Sequence, residues 1–240
     1  MIWEERPYDE NFVSILEEQF SISSTLSKLV SIRGLSTVEQ ADKFLFPKLA
    51  QLQDPFDIPQ MEKAVGRIIE AINKDESILL VGDYDVDGIS SVSIIQKTIS
   101  TLGGDSHYVI PRRKDEGYGL SEKVLTRGLT NKQATLVIAL DCGTNSLDEA
   151  KFLQDRKIDL IIVDHHQAKD SVSPIPIILN PHLQDKKDVP WLNLCTAGLA
   201  FKLAHGLVKN LRKQGSEKAK NLNMKKYLPL SALGTIADLV

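Results

Sequence analysis

Cysteine is nearly absent from this chain of 240 residues: only Cys142 and Cys195 occur. Two cysteines make neither a disulfide framework nor a zinc knuckle, and both read as buried thiols. No apolar stretch approaches the roughly 20 residues that a membrane span needs, so no membrane association is expected. Trp3-Glu4-Glu5 interrupts any apolar start, which argues against a secretory signal and for a cytoplasmic location. Excess basic charge is missing too. A net charge of −3 excludes a globally basic nucleic-acid coat but leaves room for a local basic groove. Internal repeats and low-complexity segments are also absent. What remains is 42% hydrophobic and 25% charged, ordinary for a globular protein. The length suits one large domain or two small ones.

Residues 1–60 read as a small N-terminal helical cap and connector. Asp9–Phe20 has helical apolar spacing, and Thr37-Val38-Glu39-Gln40 opens a second helix with a Thr cap and Gln at the capping-box position. Asp54-Pro55-Phe56 and Ile58-Pro59 punctuate the connector. Residues 61–240 then alternate. Helices are expected over Met61–Asn73, Ser90–Leu102, Leu120–Arg127, Leu147–Arg156, Thr196–Lys213 and Lys225–Leu239. Strands are expected over Ser77–Val81, His107–Ile110, Thr135–Leu140, Asp159–Val163 and Ile177-Ile178-Leu179. That alternation predicts an α/β fold, a mainly parallel β-sheet flanked by helices. The chain closes on Leu239-Val240 in an apolar run without a stop signal, which reads as a domain truncated at its C-terminal end.

Polar residues gather where three of these strands end. Asp164-His165-His166 follows Leu160-Ile161-Ile162-Val163, and open α/β sheets put their chemistry at such carboxyl ends. Asp83, Asp85 and Asp87 follow Ile78-Leu79-Leu80-Val81 at alternate positions. In an extended segment those three carboxylates share a face, with Gly88 turning the chain into a helix. Crowded carboxylates need a cation or protons, and hard divalent ions such as Mg²⁺ and Mn²⁺ favour oxygen ligands. An EF-hand loop would need Glu at its twelfth position, where Ile94 stands. A haloacid-dehalogenase-type nucleophile motif would leave the later histidines without a role. Asp141, after Leu136–Leu140, is a candidate ligand bridging two ions. His165 and His166 would point opposite ways if the strand continued, one to a metal and one to a phosphate.

These stretches, with Gly234-Thr235-Ile236-Ala237-Asp238, resemble the four successive motifs of the DHH phosphoesterase superfamily, and most closely its RecJ branch of single-strand-specific 5′→3′ DNA exonucleases. Pro111-Arg112-Arg113, Glu116-Gly117-Tyr118-Gly119-Leu120, Asn180-Pro181-His182, Arg33-Gly34-Leu35 and the Trp3 region also fit. The resemblance implies a two-metal site for Mn²⁺ or Mg²⁺. Asp85 and Asp87 would each hold an ion, with Asp83 close by and Asp141 bridging. His165 and Asp238 would complete the ligand set of the second ion, His166 would sit against the scissile phosphate, and Arg113 near a 5′-terminal phosphate. Asp141, His165 and His166 would form the catalytic set. Some relatives carry a histidine where this chain has Val81, and Asp83 is the expected substitute.

The expected reaction is metal-dependent hydrolysis of phosphodiester bonds in single-stranded DNA from the 5′ end, in repair and recombination. Single-stranded DNA is the expected partner, with a single-strand-binding protein or a helicase as further candidates. RecJ-like proteins continue into a second domain and an oligonucleotide-binding module not present in this sequence, so the chain is expected to be weak or inactive alone. The alternatives are a small-substrate phosphoesterase of the same superfamily and a non-catalytic binding module. The basic stretch from Lys202 to Lys226 reads as a solvated helix face and loop rather than a DNA track.

Overall fold

The computed structural model describes residues 5–169, 172–184 and 189–239. The Trp3 region and Val240 lie outside them. The chain divides into two compact units, Met1–Gln53 and Asp54–Val240.

Among the described residues the first unit holds three α-helices, α1 (Glu10–Phe20), α2 (Ser24–Ile32) and α3 (Val38–Leu45), and a 3-10 turn at Leu49–Gln51. Asp9 caps α1 through Phe12 N–H, and Thr37 caps α3 through Gln40 N–H, as side-chain acceptors at these positions should. The Gln40 side chain reaches back to Ser36 N–H, one residue beyond the capping-box partner. Phe12, Leu16, Val30 and Ala41 make the core. The sequence reading missed α2 because its serines have modest helix propensity. Its Ser23 cap and buried Ser27 and Val30 carry it instead.

In the second unit the sheet contains β1 (Ser77–Gly82), β2 (Asp105–Val109), β3 (Leu136–Leu140), β4 (Asp159–Val163) and β5 (Ile177–Leu179), in the order β2-β1-β3-β4-β5. Every pairing is parallel. Helices α4 (Met61–Asn73), α5 (Val86–Leu102), α6 (Glu122–Asn131), α7 (Leu147–Asp155) and α8 (Thr196–Lys213) accompany it. Parity divides the core. Ile78, Leu80, Ile138, Leu140, Ile161 and Val163 join the cluster containing residues of α4, α5 and α8, whereas Leu79, Val81, Val137, Ala139 and Ile162 join the one containing residues of α6 and α7. Strands covered on both faces read as unbroken apolar runs, which is why they were so visible in sequence. Because β1 is flanked by β2 and β3, the strand order reverses between β1 and β3, the place where such sheets open a crevice at their carboxyl ends.

Several boundaries moved, including those of β2 and α6, by one to four residues, and two further changes bear on the site and the chain's closing segment. Helix α5 begins at Val86, not Ser90, so Asp87 and Gly88 lie in its first turn. The expected closing helix, Lys225–Leu239, is broken into a 3-10 turn at Met224–Tyr227 and α10 (Leu228–Ala237), and an unexpected short helix, α9 (Glu217–Asn221), precedes it. Pro229 in the first turn of α10 explains the restart, since its missing N–H costs nothing there. The basic stretch is largely solvated, as expected, with Arg212, Lys213, Lys218, Lys220, Lys225 and Lys226 exposed, but several of its side chains also tie the fold together. Arg212 donates to the carbonyls of Ala219 and Leu222, Lys209 pairs with Asp54, Lys220 pairs with Glu217, and Lys202 is buried rather than solvated. Among the described residues no helix is long and apolar enough to cross a membrane.

Leu80 is fully buried between two sheet neighbours and the helices on its face. Leu80→Ala should cost about 2–5 kcal/mol, read as a lowered urea midpoint with an unchanged denaturant slope.

Candidate active site

Four chain segments bring their polar residues to the carboxyl end of the sheet. The first is the turn between β1 and α5. Asp85 is the N-cap of α5, its carboxylate accepting from Gly88 N–H at 2.9 Å. Asp83, Asp85 and Asp87 therefore do not share one face of an extended strand. A strand end, a cap and a first helical turn aim them instead. Gly88 serves close approach rather than a turn: a Cβ there would lie 2.6 Å from the Asp83 carbonyl oxygen. Asp83 is buried; its Oδ1 accepts from Tyr84 N–H while Oδ2 has no hydrogen-bond partner.

Asp87 plays two parts. It is buried, and its two oxygens accept the N–H groups of Thr196 and Ala197 at 2.7 and 2.8 Å. Those amides open α8, whose own N-cap residue, Cys195, contributes no side-chain cap. A carboxylate from α5 thus caps α8, favoured by the helix dipole. Gly234 of α10 makes the third side of this junction, since a Cβ there would meet Asp87 Oδ1 and Ala197 Cβ at 2.5 Å.

Asp141 follows β3 with a φ of 67°, a left-handed conformation that Asp tolerates better than most residues. Thr196 Oγ1 donates to its Oδ1 at 2.9 Å. Burial, with Asp87 and Asp85 adding repulsion, pushes the Asp141 carboxyl up to about 9. Burial also raises Asp83.

The histidines follow β4, which ends at Val163, so they do not alternate across a strand. Their rings lie 4.9 Å apart and do not point opposite ways. His165 Nε2 faces Asp238 Oδ2 at 3.3 Å, Asp141 Oδ1 at 3.6 Å and Asp87 Oδ2 at 3.8 Å. These separations exceed a charge-assisted hydrogen bond. His166 instead pairs through Nδ1 with Asp164 Oδ1 at 2.7 Å, and its Nε2 meets the Tyr118 hydroxyl at 3.1 Å. The Asp164 hydrogen bond raises the His166 imidazole to about 9. Burial opposes ionisation of Asp164, yet hydrogen bonds from His166 and Thr144 hold its carboxyl down at about 2. Asn180 fixes the same turn by donating to Thr144 Oγ1 and the His166 carbonyl.

Three sets of ligand atoms lie close enough together to share an ion: Asp83, Asp85 and Asp141; Asp87, His165 and Asp238; Asp141, His165 and His166. The structure thus gathers seven of the eight expected site residues. Arg113 stands apart on the rim, over the Tyr84 ring at 5.5 Å; Tyr84 in turn meets Tyr118 edge-on. Sequence reasoning gave Thr196 and Asn180 no role in the site, and gave Asp164 and Tyr118 no hydrogen-bonding role in it. Asp164 and Tyr118 sat inside the motifs, but nothing local indicated their hydrogen bonds, and Thr196 is recruited from 55 positions beyond Asp141.

An acidic and imidazole cluster at the switch point of a parallel sheet defines a metal-assisted type of α/β site. The profile of the DHH family's N-terminal domain matches residues 77–235, and the chain belongs to this family. It is similar to the single-stranded-DNA-specific exonuclease RecJ of Bacillus subtilis, with 36% identity over the whole chain and 29% of the relative. The Escherichia coli protein of that name is 31% identical, over 90% of this chain and 37% of the relative. The chain thus spans well under half the length of these curated relatives. A crystal structure of exonuclease RecJ bound to manganese matches with a TM-score of 0.67 and 29% identity, over 80% of this chain and 45% of that one. The manganese complex of RecJ from Thermus thermophilus, 23% identical, shares the fold with a TM-score of 0.75 over 97% of this chain and 31% of its own.

Two outcomes follow. In a chelated, metal-free preparation, Asp87→Ala strands two buried amides and should cost roughly 2–4 kcal/mol, against about 1 for the exposed cap Asp85→Ala, both read by urea unfolding. The second concerns Glu116, which anchors the loop carrying Arg113 and Tyr118. It accepts from Arg127 at 2.6 and 2.7 Å and from Arg112 N–H at 2.8 Å. The Arg127 hydrogen bonds hold its carboxyl down at about 2, below the ordinary 4.5. Above pH 4.5 that pairing stabilises the fold, and the contribution is lost as pH falls toward 2. Glu116→Gln should therefore lower the melting temperature most above pH 5, with the gap to wild type closing in acid.

Proposed function

We propose that this chain carries the metal-binding half of a RecJ-type exonuclease, which hydrolyses single-stranded DNA from the 5′ end with Mn²⁺ or Mg²⁺. The observation that carries this reading is the convergence of seven acidic and imidazole residues from four separate segments. The donor set suits divalent cations on physical grounds. Two things are wanting: a partner for Asp83 Oδ2, a buried acceptor without a hydrogen bond, and a positive charge to offset the burial and the Asp87 and Asp85 charges that raise the Asp141 carboxyl. A hard cation supplies both.

Asp83, Asp85 and Asp141 would hold one ion, and Asp87, His165 and Asp238 the second, with Asp141 shared. Such a pair, when bound, supplies a water activated at neutral pH and neutralises charge on a phosphate. The chain's own residues do the rest. Thr196 and the first amides of α8 fix Asp141 and Asp87, so the acids hold their positions despite mutual repulsion. His166, kept protonated by Asp164, offers Nε2–H to a phosphate oxygen at the scissile bond. Arg113, on the aromatic rim, offers a guanidinium fork to a 5′-terminal phosphate. Tyr84 and Tyr118 provide π-faces on which unpaired bases stack. The domain reading is a helical N-terminal portion over residues 1–60 and the phosphoesterase domain over 61–240. A cytoplasmic location accords with two free, buried cysteines, and a single-strand-binding protein or helicase are the candidate partners.

Manganese-dependent digestion of a 5′-phosphorylated single strand, run beside a dinucleotide, tests this reading. The expected result is shortening of the long strand, with Asp141→Ala at least about a hundredfold slower. Cleavage of the dinucleotide alone would point instead to a small-substrate phosphoesterase. An Asp141→Ala variant that digests at the wild-type rate would remove the shared-ligand role.

A further inference from the structure

Tyr118 is more than half exposed, at 55%, yet its hydroxyl reaches inward to His166 Nε2 at 3.1 Å. Its ring meets two other rings edge-on, Tyr84 at 6.0 Å and His166 at 6.2 Å between centroids. A tyrosine so placed contributes little packing. Its polar tip is what holds it down.

That tip occupies a position of chemical consequence. His166 Nδ1 is committed to Asp164, so Nε2 is the one ring nitrogen with which it can meet a ligand. The phenol oxygen already sits on it. One N–H cannot make a good hydrogen bond to the phenol and to a phosphate oxygen at once.

The backbone on either side is suited to movement. Gly117 and Gly119 bracket Tyr118 with φ of 81° and 77°, and a Cβ at Gly117 would meet no atom within 4 Å. Beyond this stretch the loop is pinned, by Glu116 to Arg127 on one side and by buried Leu120 on the other. Motion can therefore be confined to the two glycines and the tyrosine between them.

We propose that Tyr118 is a displaceable latch on His166, its hydroxyl standing in for a phosphate oxygen until the substrate takes that position and frees the ring. This rests on the reading that His166 contacts phosphate. Tyr118 is then a positioning residue: it holds the imidazole in place in the free protein and competes with the ligand. The freed ring keeps its exposed face beside Tyr84, where a base of the incoming strand can stack.

The test follows the ¹⁵N resonance of His166 Nε2 while inorganic phosphate is titrated into the Mg²⁺-loaded chain, wild type and Tyr118→Phe. Phenylalanine keeps the ring and removes the competing hydroxyl, together with that hydroxyl's contact to Asp83. The expected result is that phosphate moves the signal in both proteins and binds about five-fold more tightly to Tyr118→Phe, the worth of one modest hydrogen bond. The KM for a 5′-phosphorylated single strand should fall in the same direction. If the signal responds in both proteins but the variant binds phosphate equally or more weakly, the latch is wrong and the role of His166 stands. If phosphate moves the signal in neither, the role of His166 fails and the latch with it.

Discussion

Mutual repulsion among carboxylates is the constraint around which this molecule is arranged. Asp83, Asp87, Asp141 and Asp164 are all buried at one end of one sheet, with Asp85 and Asp238 at its margin. No fold gathers such a set without opposing charge or donors. The chain supplies part of the answer itself. Asp164 is neutralised by His166 and stays ionised, whereas Asp87 takes the first two amides of α8. Asp141 and Asp83 are left under-compensated, and their oxygens fall in groups close enough together to hold a cation.

The same interactions tie the architecture to the chemistry. Helix α8 is anchored at its start by an acid of the candidate site, so it is registered against that cluster rather than merely packed on the sheet. Helix α10 approaches closely enough to deliver Asp238 because Gly234 leaves room for Asp87 and Ala197. Small residues here do geometric work that larger ones could not, and the acids do structural work as well as chemical work. Loss of one acid should therefore disturb folding and ion binding together, which is why the metal-free state matters in separating the two roles.

The motifs were legible for a plain reason: each sits at the end of an apolar strand, and strands buried on both faces are conspicuous. Met61–Asn73, Asp159–Val163, Ile177–Leu179 and Thr196–Lys213 have the boundaries expected from pattern alone. What misled was local geometry. Alternation along a strand was carried past its end, into a stretch where Asp85 had already begun a helix and where the two histidines follow a turn. Serine-rich α2 and the proline-restarted α10 escaped because their stability comes from caps and contacts that a hydrophobic period does not register.

Sequence alone determined the parallel α/β class, the five strands of the sheet and the polar residues that follow them, because hydrophobic period and strand-end polarity are local properties. Tertiary structure alone decided the strand order β2-β1-β3-β4-β5, the capping of α8 by Asp87, the pairing of His166 with Tyr118 and the position of Arg113 on the rim. Each of these depends on which distant segments meet. That is set by the packing of two cores on opposite faces of one sheet, and no stretch of chain encodes it by itself.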